Sequence, residues 1–245
     1  MSLLDKGTES APEESSRRTD IIDLIHLGLR KANEKQSYKH RIKKNFSPTN
    51  ADTCAKKLFY EFKGFPKEPY DDSTLKIFAL GNAIHRLIQE TIPNQLCAEF
   101  RIEQTWHNDL PLSGYVDSII LTKDGVCVTD YKSIKNAGLP FVSRAPKESN
   151  AKQLMVYCDV LNIHDGRLLY FGKSDGEMVE HKVEFDQKVI DEIVKHFTYV
   201  RKCVQENRIP PKCGADKRWQ CGWCSYAHYC AEGIKDISEI KNGPV

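Results

Sequence analysis

The sequence has no apolar run near the ~20 residues that a membrane-spanning helix requires; Ser118-Ile119-Ile120-Leu121 is representative of its longest apolar stretches. The N-terminus is polar and lacks the apolar core of a secretory signal, so a cytoplasmic protein is expected. An excess of one charge is also missing. With 36 basic and 34 acidic side chains the net charge is +2, and composition alone does not point to a polyanion binder. There is no internal repeat. At 245 residues, 40% hydrophobic and 29% charged, the chain is neither collagenous nor wholly disordered. A chain of this size also buries enough surface to fold without disulfides.

What the sequence does hold is nine cysteines, at 54, 97, 127, 158, 203, 213, 221, 224 and 230. In a reducing compartment the clustered ones read as metal ligands rather than disulfides. Cys97, Cys127 and Cys158 stand alone among apolar residues and read as small buried hydrophobes.

Residues 1–20, rich in Ser, Glu and Pro and without an aromatic, read as a disordered leader, which leaves 21–245 as a single domain. Apolar residues at 21, 22, 25, 27 and 29 behind Asp20 predict an amphipathic helix to about Glu34. Lys31 to Lys44 carries six basic residues and one acidic, with Tyr38 and His40 interleaved; it is either a solvated face or a track for phosphates. Ser47-Pro48 opens a helix expected to run through Cys54, Leu58 and Phe59 and to stop at Gly64. Ile77, Leu80, Ile84, Leu87 and Ile88 mark a helix from Ser73 to about Ile92. The period then changes to two. Strands are predicted over 97–106, 112–121 and 126–133, the last two joined at Lys123-Asp124-Gly125. A helix over 147–161, strands over 167–173 and 178–185 and a helix over 186–207 complete an α/β layered domain with a mixed sheet.

The chemistry sits in the hairpin. Asp117 lies in one strand and Asp130 in the next, and the two-residue step to Lys132 puts that amine on the face of Asp130. Paired carboxylates repel unless a cation lies between them, and oxygen donors suit Mg2+ or Mn2+. With a lysine beside them, the set fits metal-assisted phosphodiester hydrolysis. His85 stands one turn after Gly81 on the preceding helix, so the missing side chain at 81 is expected to leave room for the imidazole. Gln153 and Tyr157 share a face of the following helix.

In order, Gly81-Asn82-Ala83-Ile84-His85, Gly114-x-x-Asp117, Asp130-Tyr131-Lys132 and Gln153-x-x-x-Tyr157 resemble the motif series of RecB-type nucleases of the PD-(D/E)XK superfamily, over roughly residues 47–232. The resemblance implies a restriction-endonuclease-like core: a central mixed sheet flanked by helices. It implies that His85, Asp117, Asp130 and the main-chain carbonyl of Tyr131 bind the metal, that Lys132 is catalytic, and that Gln153 and Tyr157 support the site.

Cys221-x2-Cys224-x5-Cys230 offers three thiolates and lacks a fourth, for which Cys54 and Cys213 compete. Tetrahedral zinc and an iron-sulfur cluster both accept such a set. Ser47-Pro48 with Cys54-Ala55-Lys56-Lys57-Leu58-Phe59-Tyr60 resembles the opening of the iron-sulfur branch, in particular the CRISPR-associated Cas-four-type exonucleases and their viral relatives. That branch often has Pro-Arg after its first cysteine, where this chain has Ala55-Lys56. The resemblance implies a 4Fe-4S cluster on Cys54, Cys221, Cys224 and Cys230, pairing segments 47–64 and 213–232 into one iron-sulfur-stapled helical portion. Trp219, Trp223, Tyr226 and Tyr229 are expected to pack around it.

The same likeness implies a DNA exonuclease acting on single-stranded ends, in the cytoplasm of a prokaryotic or virus-infected cell. Recombination proteins or a CRISPR integrase would be its partners. Basic clusters over 132–152 and 201–218 suit a single strand. Phe141 reads first as a packing residue and second as a stacking platform. A non-catalytic iron-sulfur DNA-binding module and a zinc-stabilised nuclease are the competing readings.

Overall fold

The structure, a computed structural model, describes residues 21–36 and 42–233. The expected leader 1–20, with Asp20, and the residues Tyr38 and His40 of the basic run lie outside them.

Helix α1 (Ile21–Gln36) packs on α3 (Asp72–Thr91), where Arg30 makes a two-point ion pair with Asp72 at 2.7 and 2.6 Å. Its apolar residues Ile21, Ile22, Ile25 and Leu27 face solvent, unlike the buried face their spacing predicts. Lys43, at the end of the basic run, is half-buried against Asn50 and Glu61, so it serves structure rather than phosphate tracking. The helix expected from Ser47 through Gly64 is two pieces. A 3₁₀ turn (Pro48–Asn50) is ended by Asn50, whose Oδ1 accepts from Ser47 N; α2 (Ala55–Phe62) starts afresh with Cys54 at its N-cap. Helix α3 starts where Asp71 accepts from Thr74 N at 2.7 Å, which satisfies an amide that has no partner inside the helix.

The sheet runs β1 (Gln95–Trp106), β2 (Leu110–Thr122), β3 (Gly125–Ile134), β4 (Asp165–Gly172) and β5 (Met178–Glu184), in that spatial order. Neighbours are antiparallel except β3 and β4, whose parallel pairing requires the crossover built from α4 (Leu139–Val142) and α5 (Glu148–Leu161). In β4 burial alternates strictly, which is the period of two that marks a strand in sequence. One sheet face is covered by α5 and α6 (Gln187–Gln205) over Val128, Leu154, Leu168, Tyr170, Ile190 and Phe197. The other carries α3, whose Ile84 and Ile88 meet Tyr131. A separate aromatic cluster of Phe59, Tyr60, Phe65, Tyr226 and Tyr229 joins α2 to α7 (Ala227–Glu232). Among the described residues, no helix is long and apolar enough to cross a membrane.

Candidate active site

The hairpin register pairs Ser118 with Thr129, which carries Asp117 to the level of Asp130. Asp117 does not stay free: Tyr131 N donates to its Oδ2 at 2.6 Å, and His85 Nδ1 lies 3.5 Å from its Oδ1. That contact with Asp117 raises the imidazole pKa against the opposing effect of burial. The Tyr131 ring lies edge-on to His85 at 6.0 Å and holds α3 at this height over the sheet.

Asp130 is 1% exposed. Burial pushes its pKa up to about 6, although the neighbouring Lys132 pulls the other way. Gln153 Nε2 donates to Oδ1 at 2.8 Å. Lys132 Nζ lies 2.6 Å from Oδ2, an ion pair that gives this buried oxygen its partner. Tyr157 is buried, and its hydroxyl pKa rises through burial and the nearby charge of Asp130. Gly114 gives it room: a Cβ there would meet Pro48 Cδ at 3.0 Å and Tyr157 Oη at 3.2 Å. Gly81 has no comparable steric need. A Cβ would meet only Ser133 Oγ, at 3.4 Å, an ordinary contact, so the expected clearance for His85 is not what that glycine supplies.

One residue of the site escaped the sequence. Donor atoms of His85, Glu99 and Asp117 lie within 4.8 Å of one another. Glu99 sits in β1 with φ of 48°, between the pairs Ala98–Ser118 and Phe100–Val116. Gln89 Nε2 ties the two strands here, donating to Glu99 Oε1 at 2.9 Å and to the Asp117 carbonyl at 3.0 Å. Nothing in the alternation of β1 marks Glu99, because a left-handed non-glycine residue breaks the alternation from which a strand face is read.

The cysteine-rich region also differs from its reading. Cys54 and Cys213 both stand with the C-terminal thiols. Cys213 Sγ lies 3.9 Å from Cys221 Sγ and within hydrogen-bonding reach of Cys54. Cys230 faces Cys54, Cys221 and the Tyr60 hydroxyl, and Cys224 faces Cys230 and Cys54. Gln220 clamps the two segments, accepting from Cys54 N at 3.2 Å and donating to the Asp52 carbonyl at 2.9 Å. Tyr226 and Tyr229 are buried beside the thiols, but Trp219 and Trp223 are 62% and 80% exposed and shield nothing. Cys127 and Cys158 are buried as expected, whereas Cys97 is only half-buried.

The chain is an α/β protein with a five-stranded mixed sheet, and the oxygen and imidazole donors that converge beside its β2–β3 hairpin are of the kind that could hold a divalent cation. Residues 89–231, more than half of the chain, match the PD-(D/E)XK nuclease superfamily, and the chain belongs to it. Among solved structures, that of SSO0001 is 17% identical with a TM-score of 0.58, covering 86% of this chain and 98% of its own. This shows a shared fold. An alkaline exonuclease, LHK-Exo, from Laribacter hongkongensis is 11% identical with a TM-score of 0.47, covering 78% of this chain and 94% of its own. A phage related exonuclease from Haemophilus somnus is 11% identical with a TM-score of 0.49, covering 66% and 94%. No curated protein matches the chain.

Proposed function

We propose that the chain is a divalent-metal-dependent deoxyribonuclease that degrades DNA from an end, preferring a single strand, in recombination, viral DNA processing or CRISPR adaptation. We further assign it a 4Fe-4S cluster on Cys54, Cys221, Cys224 and Cys230. The observation that carries the catalytic reading is the convergence of His85, Glu99 and Asp117 donor atoms within 4.8 Å of one another, next to a buried Asp130 paired with Lys132 at 2.6 Å. Carboxylates gathered in this way repel unless a cation lies among them, and the one ammonium at hand is already engaged by Asp130. Hard oxygens with one imidazole fit Mn2+ or Mg2+, held by His85, Asp117, Asp130 and the Tyr131 carbonyl, with Glu99 as an added donor.

A divalent ion there lowers the pKa of water and polarises a phosphoryl oxygen. The chain's own groups do the rest. Gln153 fixes the Asp130 carboxylate through Oδ1 and leaves Oδ2 to Lys132. Lys132, half-buried beside that oxygen, is placed to donate to a scissile phosphate as charge builds on it. The Tyr157 hydroxyl, wedged at Gly114, holds the approach of α5 to β2.

The choice of a cluster over zinc rests on the resemblance of the Cys54 segment and the Cys221-x2-Cys224-x5-Cys230 spacing to the iron-sulfur branch. A tetrahedral zinc with arms of ~2.3 Å holds its sulfurs about 3.8 Å apart. Cys213 and Cys221 lie 3.9 Å apart, so iron and zinc analysis of the purified protein decides between them.

End-labelled single-stranded DNA with Mn2+ tests the activity. The wild type is expected to shorten it progressively, EDTA to stop the reaction, and Lys132→Ala to slow it by about 10²–10³-fold, the scale for losing one donor to the reacting group. Equal rates for both proteins would remove Lys132 from catalysis. Labels at the 5′ and 3′ ends read polarity in the same gel. Mn2+ is expected to support faster cleavage than Mg2+ at matched concentration, because imidazole is a better ligand for the softer ion. Turnover as fast in Mg2+ would exclude His85 from the ligand set.

A further inference from the structure

Phe141 is 76% exposed, against the packing role its sequence context suggests. A single exposed apolar side chain is ordinary on a protein surface; its mount and its place are not. It sits in the one-turn helix α4 between Leu139 and Val142, both buried in the main core. The Val142 carbonyl accepts from the His181 ring at 2.6 Å, Asn136 Oδ1 accepts from Ser174 N at 2.9 Å, and Lys147 N donates to Tyr170 Oη at 2.9 Å. The segment is therefore pinned at its start, middle and end to β4, β5 and the turn between them. A pinned backbone holds the ring out in water, where a mobile loop would let it fold inward.

The segment also straddles the candidate site. It leaves β3 just after Lys132 and returns in α5 at Gln153, and both side chains reach the same carboxylate, Asp130, at 2.6 and 2.8 Å. From 135 to 147 it holds Lys135, Arg144 and Lys147 and no acidic residue. All three are exposed, and among the described residues none is in an ion pair. Cations without anions, set around a rigidly presented aromatic ring, match a polyanion with exposed flat bases. A duplex hides those faces in its stack, whereas a single strand offers them.

We infer that Phe141 stacks on a base of the single strand whose scissile phosphate lies at Asp130 and Lys132, with Lys135, Arg144 and Lys147 following its phosphates, so that this loop sets the preference for single-stranded DNA. The inference rests on the nuclease reading, and a binding measurement without turnover separates the two. Anisotropy of a fluorescein-labelled oligothymidine is recorded in EDTA for wild type, Phe141→Ala and Phe141→Trp, and repeated with an abasic oligonucleotide of equal length.

Stacking of one base predicts a 5- to 150-fold weaker dissociation constant for Phe141→Ala on oligothymidine. Phe141→Trp is expected to keep wild-type affinity, and all three proteins should bind the abasic strand alike. Equal affinity of wild type and Phe141→Ala for oligothymidine overturns the inference even if DNA is cleaved. So does an equal loss on the abasic strand, which would mean the substitution disturbs the lysines and arginine instead. The ring is exposed, so unchanged melting curves are expected to show that each variant is folded. Intact stacking in a protein that cleaves nothing would leave this inference standing and refute the nuclease.

Discussion

Asp130→Asn is expected to abolish cleavage and, in the absence of metal, to make the protein more stable. Both follow from one geometry. The carboxylate is buried, accepts from Gln153, lies 2.6 Å from the Lys132 ammonium, and is raised to a pKa of about 6 by its removal from water. Unfolded, the same group titrates near 3.9. The folded state thus binds the proton more tightly, so the contribution of Asp130 to stability is best below pH 4. It falls as the pH rises through the interval from 4 to 6 and stays unfavourable above it. Asparagine keeps the amide contact with Gln153 and carries no charge. At neutral pH it is expected to gain about 3 kcal/mol, or roughly 6–12 °C in melting temperature for a domain of this size, and nothing at pH 4. Lys132 loses its ion-pair partner in the variant, but its side chain is a quarter exposed and can turn to water.

Adding Mn2+ reverses the order. At a thousand times its dissociation constant an ion bound only to the folded state contributes about 4.1 kcal/mol to the wild type, and Asp130→Asn is expected to lose most of that gain. Cleavage of end-labelled single strands should fall by at least 10²–10³-fold. Calorimetry at pH 4 and pH 7.5, with and without Mn2+, together with the gel assay, checks every arm. A variant that is destabilised at pH 7.5 in EDTA would mean that Asp130 is a structural ion-pair partner of Lys132.

The part of this site that could be read in the sequence is the part that regular backbone positions. A two-residue step fixed Asp130 and Lys132 to one face, and a tight turn at Lys123-Asp124 brought Asp117 level with Asp130. Four residues of helix put Gln153 and Tyr157 on one side of α5. Glu99 was illegible because its backbone takes a positive φ that no local pattern signals, and its carboxylate is placed by a tertiary contact with Gln89. The same holds for the break between the Pro48 turn and α2. The start signal at Ser47-Pro48 was correct, but residues 51–54 are drawn out of helix by distant partners: Lys152 on Asp52, His196 on the Thr53 carbonyl and Gln220 on the Cys54 amide. Alternation and helical spacing report which residues are buried, and these three contacts are made by polar groups a hundred or more residues away. The exposed faces of α1, Trp219, Trp223 and Phe141 failed for a related reason. Composition marks an aromatic or aliphatic side chain as suited to burial, and only the finished fold decides whether a surface is available to bury it.

Cys221→Ser is expected to release iron, to bleach the visible absorption of anaerobically purified protein, and to lower the melting temperature by roughly 6–15 °C. That range corresponds to about 3–5 kcal/mol for a group that ties residue 54 to residue 221. The effect should stop short of unfolding at 25 °C, because the segments are joined without the cluster. Gln220 bridges Asp52 and Cys54, and the rings of Tyr60, Phe65, Tyr226 and Tyr229 pack together with centroids 4.6–6.3 Å apart. Cleavage by the variant at 25 °C should accordingly persist, since no active-site residue lies in either cysteine segment. Cys213→Ser is the decisive partner experiment. Five thiols gather here and a cluster takes four. If Cys213 is the one left over, its loss should leave iron content unchanged and the melting temperature within about 2 °C of wild type, the range of a surface substitution. Loss of iron in Cys213→Ser with retention in Cys54→Ser would exchange the two ligands. Zinc without iron in the wild type would replace the cluster with a zinc site, while leaving the chemistry at Asp117, Asp130 and Lys132 untouched.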